Sequence, residues 1–231
     1  MKIHSKIIAA SVMTALALNA QAATYLDSTG ENFTAAGGGI LDISSVEVNN
    51  TATDLIFKVN VTGNPTATDW GKYMISFNTG AGGDSVGNGW NRPISLSGMD
   101  YWVGSWVDSG NGAEVHKYTG AWGLQSATYG ANPDSIGVTK DASSVTIQFK
   151  YAGLGITPGV AFLFDVYTSG GGGTDGAVDA LSASGQSIAD WGNSFGTSEP
   201  LSYTIPAVPE PTSLALIGIG ASLIIGRIRR R

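Results

Sequence analysis

The chain has 231 residues, 33 glycines, no cysteine and a formal net charge of −6. This length is enough for one domain with a real core. The lack of cysteine excludes disulfides, thiol catalysis and cysteine-based metal sites. Residues 24–208 carry six basic and 17 acidic side chains, a net charge of −11. Nucleic acid is therefore an unsuitable partner, because its binding needs a basic surface.

Residues 1–22 have the pattern of a secretory signal peptide. Lys2, His4 and Lys6 form a positive beginning, and residues 7–18 are apolar but too short for a typical spanning helix. The small residues of Ala20-Gln21-Ala22 suit signal peptidase. We expect cleavage after residue 22 or 23; an uncleaved anchor is the alternative.

Short segments of alternating hydrophobicity, separated by turns rich in Gly, Asn and Asp, fill residues 23–206. Such spacing predicts an all-β domain, an antiparallel β-sandwich of the jelly-roll type. The predicted strands are Ile40–Val48, Asp54–Val61, Lys72–Phe77, Tyr101–Val107, Ala113–Tyr118, Ser144–Tyr151, Val160–Tyr167 and Leu201–Ile205. We interpret the run Gly170–Gly173 as a mobile loop.

No catalytic constellation is recognisable in the sequence. Gly83-Asp84-Ser85-Val86-Gly87 matches G-x-S-x-G, but that motif needs a strand-to-helix turn and a histidine base. No helix pattern follows it, and His116 lies on a predicted strand. We therefore predict no catalytic residues. A glycan hydrolase stays open, because sequence does not show which carboxyl groups lie at the separation that glycosidases need.

The tryptophans are the best candidates for ligand contact. In MDYWVGSWVD, Trp102, Gly104 and Trp106 share one strand face, so two indoles flank an open backbone position. Apolar sugar faces stack on such strips, whereas burial in the core is the alternative for each tryptophan. With the nearest polar groups, the predicted ligand-binding residues are Trp90, Arg92, Asp100, Trp102 and Trp106.

Residues 40–168 resemble the family-nine type of carbohydrate-binding module and its DOMON relatives. The resemblance is carried by ILDISSVEVNNTATDLIFKVNVTG, DWGKYMISFNTG, GNGWNRPI and GMDYWVGSWVDSGNGAEVHKY. It implies a β-sandwich that often holds sugar or haem. Haem would need axial ligands from Met74, Met99 or His116, and no Cys-x-x-Cys-His attachment site occurs, so we expect no haem.

Calcium is a second cofactor that the resemblance suggests, since some sugar-binding relatives hold structural Ca²⁺. Several aspartates in or beside glycine-rich stretches could supply oxygen ligands, although no EF-hand spacing is present. These are Asp84, Asp100, Asp108, Asp175 and Asp179.

Residues 207–231 form a three-part tail. Pro209-Glu210-Pro211 precedes a hydrophobic segment, residues 212–226, which we predict to be a short transmembrane helix. Arginines follow at Arg227, Arg229, Arg230 and Arg231, and the positive-inside rule keeps them in the cytoplasm. The tail resembles the PEP-CTERM sorting signal, which implies processing by an exosortase, transient anchoring in the membrane, and release to the cell surface or extracellular matrix.

The sequence thus predicts an exported envelope or matrix protein whose β-sandwich binds polysaccharide. A glycan hydrolase and a structural surface protein without a specific ligand are the alternatives.

Overall fold

The computed structural model describes residues 22–31, 33, 35–130, 133–183 and 190–206, and these form fourteen strands and almost no helix. The predicted all-β fold is therefore confirmed. The strands are β1 (Ala23–Leu26), β2 (Ile43–Asn50), β3 (Asp54–Val61), β4 (Lys72–Asn78), β5 (Ile94–Leu96), β6 (Tyr101–Trp106), β7 (Gly112–Tyr118), β8 (Trp122–Ala127), β9 (Ile136–Lys140), β10 (Ser144–Lys150), β11 (Ala161–Ser169), β12 (Asp179–Ala180), β13 (Phe195–Thr197) and β14 (Leu201–Thr204).

Two large antiparallel sheets contain most of these strands. The first sheet has the order β1-β2-β3-β10-β9, and the second has β12-β11-β4-β6-β7-β8, with β14 also paired to β11. The short strands β5 and β13 form a separate parallel pair. All eight predicted strands are present with ends shifted by at most three residues. The finer jelly-roll topology stays a prediction.

The main core lies between the inner faces of the two sheets. Alternate residues of β3 are buried, as expected for a strand with one buried face. Phe57 is central: its ring packs edge-to-face on Phe77 and Phe164, with centroids 5.7 and 5.3 Å apart, and is stacked on Phe149 at 6.0 Å. The core therefore joins β3 and β10 of the first sheet to β4 and β11 of the second.

The outer face of the second sheet is also buried, because loops cover it. Met74 and Trp102 are fully buried there, together with Ile94 and Met99 from the loop region between β4 and β6. This second apolar layer lies opposite the main core. Both faces of the second sheet therefore carry buried side chains.

A buried carboxyl group fixes the loops after β12 to this outer face. Asp165 of β11 is wholly buried and accepts hydrogen bonds from Ser182 Oγ and Thr197 Oγ1, both at 2.6 Å. Burial raises its pKa to about 6. The carboxyl group thus ties residues 182 and 197 to one strand.

Among the described residues, no helix is long and apolar enough to cross a membrane. The predicted signal peptide (residues 1–21 of 1–22) and the whole tail (207–231) lie outside the described residues.

We expect Phe57→Ala to lower the free energy of unfolding by about 3–5 kcal/mol, since it removes a large aromatic side chain from the centre of the core. Leu26→Ala, at a side chain that is 78% exposed, is the control and should change it by less than about 0.5 kcal/mol. Urea unfolding of both variants measures the difference. Equal losses would contradict the position of the core.

Candidate binding cleft on the outer face of the second sheet

The Trp90 ring lies directly on the backbone of Gly104. A Cβ atom at residue 104 would overlap the six-membered part of this ring, so only glycine allows the approach. The Trp90 ring centroid is 6.4 Å from those of both Trp102 and Trp106. The sequence suggested an open gap at Gly104, between the indoles of Trp102 and Trp106. The Trp90 indole fills this gap.

Glu114 of β7 holds the Trp90 ring in place. Its carboxylate accepts a hydrogen bond from Trp90 Nε1 at 2.6 Å, bonds His116 Nε2 at 2.9 Å, and accepts a further bond from the Tyr129 hydroxyl. The bond with His116, and then those with Tyr129 and Trp90, lower the pKa of Glu114 to about 2. The carboxylate is therefore ionised at neutral pH and acts as a fixed acceptor.

Arg92 joins the Trp90 loop to the glycine-rich loop after β11. The side chain is 5% exposed, and Nη1 donates to Ser169 Oγ at 2.7 Å and to the Asp175 carbonyl at 3.0 Å. Nη2 donates to the Gly170 carbonyl at 3.3 Å, and the guanidinium lies 5.5 Å from the Trp90 ring centroid. Arg92 thus holds the glycine-rich loop at both ends, at Ser169–Gly170 and at Asp175.

These contacts leave a shallow cleft of about 420 Å³ at the edge of the aromatic cluster. Trp90 and Trp106 form an apolar wall, with ring planes inclined at 36°. Lys72 Nζ and Asp108 Oδ2 form an ion pair of 3.1 Å beside it. The size lies within the range of small-ligand sites. The lining residues are Lys72, Trp90, Arg92, Trp106, Asp108 and Gly173.

Three of the five predicted ligand-binding residues line this cleft, namely Trp90, Arg92 and Trp106. Trp102 is 0% exposed, so its ring offers no surface to a ligand. Asp100 is 3% exposed and its Oδ2 accepts hydrogen bonds from the backbone and hydroxyl of Thr79. Asp100 therefore holds a turn.

Sequence reasoning missed Lys72 and Asp108 as cleft residues. Lys72 begins β4 and Asp108 follows β6, which are neighbours in the sheet with Lys72 opposite Trp106. Lys72 and Asp108 are 36 residues apart in the sequence, and the pairing of β4 with β6 brings both side chains beside Trp106. An acidic residue just after the Trp106 strand was the only local signal.

The serine of the G-x-S-x-G segment bonds within its own loop region. Ser85 Oγ accepts a hydrogen bond from the Gly98 backbone and lies 3.5 Å from Ser97 Oγ. His116 bonds to Glu114 instead. The serine therefore stabilises a loop in the described structure.

The aspartates suggested as calcium ligands do not form one carboxylate group among the described residues. Asp84 binds the Trp122 indole, Asp100 holds a turn, Asp108 pairs with Lys72, and Asp175 accepts from the Gly172 backbone. Of these five, Asp179 belongs to the carboxylate cluster that the described residues form.

The acidic cluster consists of Glu31, Asp42 and Asp179, each with a potential ligand oxygen within 4.8 Å of the others. Asp42 and Asp179 are 4% and 1% exposed. Burial, together with the charge of Asp27, raises the pKa of Asp179 to about 8. Its Oδ2 still accepts a hydrogen bond from the Ile43 backbone at 2.7 Å. Asp42 and Glu31 are far from Asp179 in sequence, so no local pattern indicated the group.

Comparison with known proteins assigns the tail. Residues 207–231 match the family model of the PEP-CTERM protein-sorting motif. The match contains every residue of the predicted sorting signal: Pro209, Glu210, Pro211, Arg227, Arg229, Arg230 and Arg231. Neither the curated proteins nor the solved structures yielded a match.

The protein is therefore an exported substrate of an exosortase. Its sorting signal places it at the cell surface or outside the cell.

We expect Trp102→Ala to lower the free energy of unfolding by about 3–5 kcal/mol, because a fully buried indole is lost. Trp106→Ala, at a half-buried ring, should cost about 1 kcal/mol. Among the described residues Trp102 Nε1 has no hydrogen-bond partner. Trp102→Phe removes that unsatisfied donor, and should therefore cost clearly less than Trp102→Ala. Denaturant unfolding gives all three values; equal losses for Trp102→Ala and Trp106→Ala would contradict the assigned burial.

We expect stability to fall as the pH rises from about 4 to about 8. Asp179 keeps its proton in the folded state up to a pKa of about 8, whereas an unfolded aspartate releases it near 3.8. The unfolded state therefore binds fewer protons over this interval, and Asp165 adds a fall of the same sign up to about 6. Asp179→Asn should remove most of the fall between pH 6.5 and 8.

Thermal unfolding of both proteins across this pH range, with and without millimolar CaCl₂, measures the effect. The contrary result has two parts: the unfolding temperature of the wild type does not change with pH, and calcium raises it in the wild type but not in Asp179→Asn. That result would show that a cation rather than a proton neutralises the cluster.

Proposed function

We propose that the exported domain binds polysaccharide in the Trp90–Trp106 cleft. The observation that carries the proposal is the pair of half-buried indoles at 6.4 Å and 36°, beside the Lys72–Asp108 ion pair. Indole faces bind the apolar faces of sugar rings, and charged groups next to them can bind hydroxyls. Such a cleft offers both kinds of contact.

The rigidity of the cleft also supports binding. The Trp90 indole is held by Glu114, and the loop that carries Gly173 is held through Arg92. A site that is ordered before the ligand arrives loses less conformational entropy on binding.

The carboxyl groups that the structure describes favour binding over hydrolysis. A glycosidase needs one carboxyl with a raised pKa beside its substrate. Asp165 and Asp179 have raised pKa values, but they are 0% and 1% exposed and neither lines the cleft. Asp108, which does line it, is paired with Lys72.

Export and release complete the proposal. Signal peptidase removes residues 1–22, the hydrophobic segment of residues 212–226 anchors the protein in the inner membrane, and an exosortase then cuts near Pro209–Pro211. Residues 23–206 are released to the cell surface or the extracellular matrix, where polysaccharide is available.

Affinity electrophoresis of residues 23–206 in gels that each contain one polysaccharide, with and without calcium, tests the binding. We expect retardation by one glycan class, and at least tenfold weaker binding by Trp106→Ala because the exposed wall of the cleft is lost. Trp122→Ala is the matched control: this tryptophan is also half-buried, but it binds Asp84 away from the cleft.

Uniform mobility across a broad panel would overturn the proposal in favour of a structural surface protein without a ligand. Shortened glycans recovered from the gel would favour the hydrolase.

A further inference from the structure

Both ends of the exported domain lie at the same end of the sandwich. β1 begins at Ala23 opposite Val48, near the end of β2. β14 ends at Thr204 opposite Ala161, where β11 begins. Tyr203 Oη donates to Asn50 Oδ1 at 2.9 Å, so the last strand meets the turn that follows β2. We call this side of the molecule the exit end.

Only a short segment connects the exit end to the hydrophobic part of the tail. Ile205 is 1% exposed, and its carbonyl accepts a hydrogen bond from the Gly159 backbone at 2.8 Å. Five residues separate Pro206 from Thr212, where the hydrophobic segment begins. Fully extended, the chain from Pro206 to Thr212 spans about 20 Å. Headgroups occupy about 5–8 Å of that distance on each side of a bilayer, so an anchored domain stays next to the membrane.

An uncharged loop lies at the exit end. Residues 151–164, which are the loop after β10 and the first four residues of β11, contain no Asp, Glu, Lys, Arg or His. Ala152 is exposed, Val160 is 56% exposed and Leu163 37%. Asp54 and Lys150, at the ends of β3 and β10 on this side, are cross-strand partners of opposite sign. This loop is therefore a neutral, partly apolar surface on an acidic domain.

The candidate cleft lies at the other end of the strands. Lys72 begins β4 opposite Ser169, whereas Asn78 ends it opposite Leu163, near the exit end. A strand of seven residues is about 24 Å long. The Lys72–Trp106 side of the molecule is therefore separated from the exit end by about one strand length.

We propose that the exit end, through the uncharged loop of residues 151–164, lies against the lipid headgroups while the tail is uncut, so that the cleft points away from the membrane. This orientation rests on the anchoring part of the proposed function. A short tether brings the loop to the bilayer, and its lack of charge spares ionised groups the cost of dehydration. A polysaccharide outside the membrane then reaches the cleft before the protein is released.

Single cysteines in the full chain test the orientation, because the natural sequence has none. Ala142→Cys and Ala152→Cys are matched: both alanines are exposed, and they lie just beyond opposite ends of β10. Each carries a fluorescent donor, and the chain is reconstituted in phosphatidylethanolamine–phosphatidylglycerol vesicles with a headgroup-linked energy acceptor. We expect at least twofold more efficient transfer from residue 152 than from residue 142.

A Gly/Ser linker of about twenty residues, inserted between Pro206 and Ala207, should remove most of that difference by loosening the tether. Equal transfer from both positions in the uninserted chain, with the protein still floating with the vesicles, would overturn the orientation alone. A chain that fails to float with the vesicles would overturn the anchor and the orientation together. A photoactivatable crosslinker at residue 152 that joins the chain to a co-reconstituted exosortase, with no energy transfer from the fluorescent label to lipid, would assign the exit end to the enzyme and overturn the lipid contact.

Discussion

The approach of the Trp90 ring to the backbone of Gly104 is the contact on which the outer face of the second sheet depends. A side chain at residue 104 would lift the ring away. In this position the Trp90 ring donates a hydrogen bond from Nε1 to Glu114, and its face lies against the Arg92 guanidinium. The contact therefore links a strand, a carboxylate and two loops, and it leaves Trp106 at the edge as the wall of a cleft.

Buried polar groups organise the same face. Arg92 binds carbonyl groups of the glycine-rich loop, and Asp165 binds hydroxyl groups of the segments after β12. Such groups are costly to bury unless hydrogen bonds satisfy them. They therefore hold long loops in one arrangement without disulfides, which this chain lacks. Asp179 is the contrasting case, because burial, and then its acidic neighbours, favour the protonated form.

The strand order connects the fold with the sorting signal. β1 and β14 belong to different sheets, yet the Tyr25 hydroxyl donates to the Ser202 carbonyl at 2.6 Å. The two ends of the domain are thus adjacent, and the PEP-CTERM segment follows directly after a buried, hydrogen-bonded Ile205. A domain built this way remains compact right up to the segment that the exosortase processes.

The sequence by itself determined the sorting signal and eight of the strands. A linear signal is read in order along the chain, and alternation with period two predicts a strand wherever one face is buried. Strands such as β5, β12 and β13 escaped prediction, because two or three residues are too few to show alternation. The same alternation correctly put Trp102 and Trp106 on one face of β6.

Only the tertiary structure decided what those tryptophans do. Trp102 is buried because loops cover the outer face of its sheet. Trp106, at the end of the same strand, is only half-buried. Lys72 joins Trp106 through strand pairing, and Asp42 joins Asp179 across more than 130 residues. Contacts between distant segments depend on strand order and loop path, and neither is encoded in any local pattern of residues.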